Sequence, residues 1–204
     1  MLAKLLIGNS SSFWKLRAKY KGKSNIKEKI AKVLTSWYLY ENNSSIDWDS
    51  EIIGEPCFPH GIKGVFISGA AKIGINCTIF QQVTIGSITF PDSQKAGAPV
   101  LGNNVYIGAG AKIIGNVIVG DNVRVGANAV VYQNIPNNSI VVAGGQMIKT
   151  KKTILTNKYY SFNEKNRSWV YFDNGKWKQE SDAKIITTLS LSQYKDSKCD
   201  YTVI

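Results

Sequence analysis

The sequence predicts a mainly β protein wound as a parallel β-helix, and three observations predict it. An aliphatic residue returns at every sixth position, at Ile67, Ile73, Ile79 and Ile85 and again at Leu101, Ile107, Ile113, Val119, Val125 and Val131. A second set stands four places after most of these, at Ala71, Cys77, Val83, Val105, Ala111, Val117, Val123 and Ala129, and all of it is small or β-branched. The phase then slips in two places, around residues 58–64 and between Ile85 and Leu101. A period of six belongs to neither an α-helix nor an ordinary strand. Two side chains of each hexad therefore point inward, each hexad makes a flat strand and a turn, and stacked coils bury a continuous aliphatic column. The slips are insertions, which must leave the stack as loops and commonly gather on a binding face.

Residues 1–45 read as an N-terminal helical segment, because Ile26, Ile30, Val33, Leu34 and Trp37 fall on one helical stripe, expected to be its packing face. Residues 46–148 are the β-helix. Ile46, Ile52 and Phe58 keep the period out of register with Ile67, which places about three inserted residues near 58–64. Pro136, Asn137 and Asn138 are expected to break the last coil. Residues 149–204 lose the period and form a C-terminal extension. There 168–172 and 176–179 flank Asn174 and Gly175, a hairpin signal with alternating aromatic side chains. Its simplest role is a cap or an oligomer contact; Trp169, Tyr171 and Trp177 on one face would instead make an aromatic platform for a glycan.

The length of 204 residues suits one compact domain with appendages. With 44% apolar and 19% charged residues the chain is globular. No apolar run approaches the roughly 18 residues needed to span a bilayer, so no transmembrane segment is expected. The apolar start from Met1 to Ile7 is too short for a signal-peptide core with a cleavage site, so a cytoplasmic location is expected. Cys57, Cys77 and Cys199 are odd in number and widely spaced, which reads as free thiols; with one histidine there is no zinc-ligand set, and no metal is expected. The net charge of +11 concentrates at the two ends of the repeats, from Lys4 to Lys32 and from Lys149 to Lys158. Such patches suit nucleic acid, an anionic membrane surface, a coenzyme with several phosphates, or solvent alone. Trp14, Tyr20, Trp37 and Tyr38 interleave with the basic residues, but no nucleic-acid module accompanies them, and no nucleic-acid partner is expected.

Six segments carry a family resemblance: Phe58-Pro-His60-Gly, Ile67-Ser-Gly, Ala71-Lys-Ile-Gly74, Ile79-Phe-Gln-Gln-Val-Thr-Ile-Gly86, Gly102-Asn-Asn-Val-Tyr-Ile-Gly-Ala-Gly-Ala-Lys-Ile-Ile-Gly115 and Val125-Gly-Ala-Asn-Ala-Val130. In order and combined length they resemble the serine acetyltransferase branch of the hexapeptide acyltransferases, over half the chain. The resemblance implies a left-handed β-helix, a homotrimer, and acetyl-CoA bound as co-substrate in the cleft between adjacent subunits. It implies a catalytic histidine at His60. Gly108, Ala109, Gly110, Ala111 and Lys112 resemble the family segment whose backbone lies along the pantetheine arm. Ala127 and Asn128 one coil later, and Lys149, Lys151 and Lys152 beyond, would then lie toward the adenosine and phosphate end.

The chemistry agrees with those residues. Moving an acetyl group from a thioester to an alcohol needs a base for the hydroxyl proton. A neutral imidazole, with an ordinary pKa near about 6.5, accepts one at neutral pH, and such catalysis contributes about 10² to 10⁴ in rate. His60 sits in the first insertion beside Gly61 and Gly64. Backbone N–H groups at a glycine-rich coil edge would stabilise the developing oxyanion. Cys57, three residues before His60, offers a covalent acyl carrier as an alternative. Cys77 occupies an inward position and reads as core.

Departures from the serine enzymes lie on the acceptor side. Those enzymes have Asp immediately before the catalytic histidine, where this chain has Pro59, and another Asp at the place of Ser45. Their Arg-His-Pro-Lys stretch is replaced by Gly97-Ala-Pro-Val100. Buried charges need partners, so a site lacking these three should bind serine poorly. The expected acceptor is therefore a sugar or polysaccharide hydroxyl. Phe90 would stack on the ring, Ser45 would line the acceptor side, and Asp47 or Asp49 would replace the missing orienting carboxylate. Two other readings remain, a serine O-acetyltransferase of cysteine biosynthesis and a non-catalytic trimeric scaffold that binds polyanions.

Overall fold

Three flat faces meet at three corners and repeat from coil to coil. The structure is a computed structural model, in which residues 10–143, 147–155 and 157–196 are described. The first face stacks β1 (Ser45–Ile46), β3 (Phe66–Ile67), β6 (Thr84–Gly86), β9 (Lys112–Ile114) and β12 (Val130–Val131). The second stacks β2 (Glu51–Ile52), β4 (Lys72–Ile73), β7 (Val100–Leu101) and β10 (Ile118–Val119). The third stacks β5 (Thr78–Ile79), β8 (Tyr106–Ile107), β11 (Arg124–Val125) and β13 (Ser139–Val142), all parallel, before the chain doubles back as antiparallel β14 (Met147–Thr150).

The hexad explains the register. Ile46, Ile67, Ile85, Ile113 and Val131 pair in sequence up the first face, and Ile79, Ile107, Val125 and Val141 up the third. The second inward set fills the corners: Ala71, Cys77, Val83, Val105, Ala111, Val117, Val123 and Ala129 are all buried. Fully burying such a side chain contributes about 1.5–3 kcal/mol for Val or Ile, so the column dominates the fold's stability. The sharp corners demand a left-handed backbone. One corner ladder uses Asn76, Asn104, Asn122 and Asn138, all at φ 55–57°. Asparagine tolerates that region better than other side-chain-bearing residues. Pro136 to Asn138 does not break the last coil as expected. Asn138 turns its corner, and Ile135 is bridged above Val119, so stacking continues to β13.

Both insertions leave the stack. Residues 88–97 project as a loop closed by the reciprocal Ile88–Gly97 pair at 2.9 Å. Residues 58–64 bulge between the third and first faces, anchored because Ile62 turns back into the core at 1% exposure.

Two helices close the first coil. These are α1 (Ser10–Tyr20) and α2 (Ile26–Glu41). Asn25 caps α2 by accepting from Glu28 N, while the Glu28 carboxylate accepts from Gly22 N, Ser24 N and Trp48 Nε1. Phe13, Trp14, Tyr38 and Leu39 extend the core over Ile46, Ile62 and Val65. Of the expected packing stripe of α2 only Leu34 packs against the core: Ala31, Thr35, Tyr38 and Leu39 are buried, whereas Ile26, Ile30, Val33 and Trp37 face outward. The apolar residues on α2 occupy two opposite faces, and periodicity selected the wrong one.

The extension holds β15 (Tyr160–Asn163), β16 (Ser168–Asp173), β17 (Lys176–Gln179) and α3 (Ala183–Asp196). The hairpin turns at Asn174 and Gly175, both at positive φ. The shared aromatic platform does not form. Trp177 pairs with Phe172, so it lies on the sheet face opposite Trp169 and Tyr171. It packs instead against Phe172 and Tyr159.

Truncating the middle of the column tests its close packing. Ile107→Ala is expected to lower unfolding free energy by about 2–5 kcal/mol in urea denaturation. A loss below about 0.5 kcal/mol would mean that Ile107 stands in no packed column.

Candidate functional site

His60 stands on the first insertion, where the third face hands over to the first. Cys57 bridges to Thr78 of the coil above, Gly61 N donates to Phe58 O at 3.0 Å, and Gly61 and Gly64 take φ of 74° and 66°. The turn pushes His60 outward while Ile62 is pulled in, so the imidazole is exposed with Phe80 near it at 5.6 Å, ring to ring. It lines a groove of about 480 Å³ together with Glu41, Asn42, Asn43, Lys63, Gly64, Gln81 and Gln82. Gln81 Oε1 is buried, with no hydrogen-bond partner among the described residues.

This corner continues upward as a ladder of left-handed residues, Asn43, Gly64, Gln82, Gly110 and Asn128. Each rung is tied to the coil below: Gly64 N donates to Asn42 O, Gln82 N to Lys63 O, Gly110 N to Gln81 O and Asn128 N to Ala109 O, at 2.9–3.1 Å. Glycine at 110 is required by space as well as by φ, because a Cβ there would strike Asn128 Oδ1. At Gly108 a Cβ would stand 2.6 Å from Ala127 N.

The same corner collects most of the expected cofactor residues. Ala109 and Gly110 are half-buried, Ala127 and Asn128 exposed, and Lys112 Nζ reaches down to Gln82 O at 2.6 Å. Ala111 turns its side chain into the coil at 0% exposure, so it belongs to this corner only through its backbone. Lys151 also stands apart, its N–H on Asn138 O at the corner between the second and third faces, and Lys149 lies on β14 opposite Ile140.

The expected acceptor residues lie elsewhere in the chain. Ser45 and Asp47 line a separate groove of about 350 Å³ on the first face, with Ser68, Thr84 and Ser87. Asp47 Oδ1 accepts from Asp49 N at 2.8 Å, and Asp47 O accepts from Arg17 Nη1 at 3.0 Å. Lys21 Nζ donates to Asp49 O. Arg17, 4% exposed, also donates to Ser50 O; burial lowers its pKa while Asp47 and Asp49 oppose that shift. Within one chain Asp47 and Asp49 thus hold Arg17 and Lys21 through their backbone carbonyls, and neither lines the His60 groove. Phe90 is 70% exposed on the 88–97 loop. Sequence reasoning missed Glu41, Lys63 and Gln81 as neighbours of His60. Only stacking, invisible in a linear pattern, brings α2's last residue and the next coil's corner to the first insertion.

Cys57 offers no thiolate. Burial, then the nearby Glu55 charge, pushes its thiol up to about 12, and burial raises Cys77 to about 11. Cys199 lies outside the described residues.

Comparison with known proteins supports the stacked architecture. The family described as "Bacterial transferase hexapeptide (six repeats)" matches residues 98–133. A solved serine acetyltransferase from Neisseria gonorrhoeae superposes with a TM-score of 0.59 at 22% identity, over 74% of this chain and 57% of that one. The chain is a hexapeptide-repeat protein with a left-handed β-helix. A serine acetyltransferase of Entamoeba histolytica, solved in complex with cysteine, matches at TM-score 0.56 and 27% identity over 74% of this chain and 53% of that one. In sequence, the chain is 42% identical to the serine acetyltransferase of Staphylococcus aureus (strain Mu50) over 99 residues, 48% of this chain and 45% of that protein. It is 47% identical to that of Synechococcus elongatus over 83 residues, 41% of this chain and 33% of that protein. The chain thus spans less than half the length of these curated relatives. These likenesses overturn the expected sugar or polysaccharide acceptor, because the relatives are serine acetyltransferases.

The buried thiols give a measurable outcome. In the native chain at pH 8, iodoacetamide is expected to leave Cys57 and Cys77 unlabelled, with both labelled in urea, as read by peptide mass spectrometry. Because both folded values lie above the ordinary 9.0, their stabilising contribution is complete below that pH and is lost as pH rises toward 11–12. Rapid native labelling of Cys57 would show an ionised thiol and restore the acyl-carrier reading.

Proposed function

We propose that the protein is an acetyl-CoA-dependent O-acetyltransferase that acts on the side-chain hydroxyl of serine, as a homotrimer with the thioester in the seam between subunits. The observation that carries this reading is the likeness of half the chain to serine acetyltransferases, combined with the open groove around the chain's only histidine. His60 takes the proton of the serine hydroxyl as that oxygen attacks the thioester carbonyl carbon, then returns it to the departing sulfur as the carbon–sulfur bond breaks. The step balances as ester and free thiol.

The acceptor-side departures at Pro59, Ser45 and 97–100 remove charges that a zwitterion needs, yet the His60 groove carries others. Glu41 supplies a carboxylate for the ammonium, Lys63 an ammonium for the carboxylate, and Gln81 Oε1 a buried acceptor that has no partner among the described residues. Along the same corner, Ala109 and Ala127 leave room for a slender pantetheine arm and Lys112 supplies charge beside it. The exposed outer side chains of the faces include Phe66 and Val130 on the first and Val100 and Ile118 on the second, apolar surface that a threefold assembly would cover.

Steady-state assay of thiol release tests the reading. Wild type is expected to turn over L-serine saturably, and His60→Ala to lower kcat by about 10² to 10⁴ with CoA binding retained in calorimetry. Absence of turnover with L-serine, or undiminished turnover without the imidazole, would contradict it. Glu41→Gln is expected to raise KM for serine about tenfold or more while KM for acetyl-CoA holds. Equal changes in both would remove Glu41 from the acceptor site.

A further inference from the structure

Among the described residues, nothing covers the outward stripe of α2. Ile26, Ile30, Val33, Trp37 and Tyr40 are 67%, 54%, 68%, 39% and 80% exposed. Their spacing puts them on one line along the helix, on the side opposite the buried Ala31, Thr35 and Tyr38. The inner face is therefore already satisfied by α1 and the first coil, and the stripe is surplus to folding. Lys27, Lys29 and Lys32 are exposed beside it, and Lys15, Lys19 and Lys23 follow on α1 and its turn.

We propose that α2 docks the protein on an anionic lipid bilayer, lying in the plane of the interface with this stripe in the headgroup boundary. Charge complementarity selects that occupant. A helix with apolar side chains on one face, aromatic residues among them and lysines beside them is the pattern of interfacial helices, with Trp and Tyr favouring the headgroup level. A second copy fits worse. Two α2 stripes face to face would bring the lysines of both together, while Glu28 is held inward by Gly22, Ser24 and Trp48 and Glu41 stands at the helix end. Among the described residues no helix is long and apolar enough to cross a membrane, so the contact is peripheral. Glu41, the last residue of α2, lines the His60 groove, so docking would set that groove beside the membrane surface. The inference is independent of the proposed reaction.

Cosedimentation of the full chain tests it, using vesicles of phosphatidylcholine alone and of phosphatidylcholine with about a third phosphatidylglycerol. Binding is expected only to the anionic vesicles and should weaken as salt rises. The triple variant Ile30→Ser, Val33→Ser, Trp37→Ser is expected to bind at least about tenfold more weakly. Lys27→Ala, Lys29→Ala, Lys32→Ala together should weaken binding and flatten its salt dependence. All six positions are exposed, and a far-UV spectrum matching wild type confirms each fold. Failure of wild type to bind anionic vesicles overturns the proposal, as does undiminished binding by the serine triple. A lower oligomeric state of that triple in sedimentation velocity, with no change in vesicle binding, assigns the stripe to a second copy and also overturns it.

Discussion

Everything in this molecule depends on coil stacking upon coil at fixed register. A parallel β-helix has no local core. Each hexad buries two small or aliphatic side chains only because the coil beneath presents the same two, as Ile107 does over Ile79 and Val125 over Ile107. That constraint dictates flat strands two to four residues long, left-handed corners, and glycine wherever the next coil's backbone comes too close for a Cβ. It also dictates where anything irregular goes. The residues of an insertion cannot enter the column, so 58–64 and 88–97 are forced outward.

The candidate site follows from that expulsion. His60 is exposed because Ile62 is the residue of its loop that the column accepts. The corner above it is a vertical edge of small, positive-φ residues, because backbone-to-backbone bonds from Lys63, Gln81 and Ala109 fix each rung. An imidazole at the foot of a slender, open edge is the arrangement on which the proposed acetyl transfer rests. The groove's one carboxylate and one lysine ammonium come from α2 and from the insertion, two elements that meet only through the stack.

How much was legible in the sequence follows the same division. Positions that repeat were readable: the inward set, both slips, the exposed histidine and the Asn-Gly turn all come from patterns within a few residues. Positions fixed by tertiary neighbours were not. The apolar residues on α2 could not reveal which of its two faces meets the coil. Trp177 could be placed on the wrong face because the hairpin register, Phe172 opposite Trp177, reverses its side relative to Trp169. The acceptor expectation weighed three missing charges at their expected places and did not foresee Glu41 and Lys63, which the stack brings to the His60 groove.

The central claim is that one corner, rising from His60 past Ala109 and Gly110 to Asn128, holds the acyl donor. Hydrogen–deuterium exchange with and without CoA tests it most directly. The account predicts added protection at 60–64, 108–110 and 126–128. Protection confined to the asparagine corner at 76, 104 and 122, or no protection at saturating CoA, would contradict it.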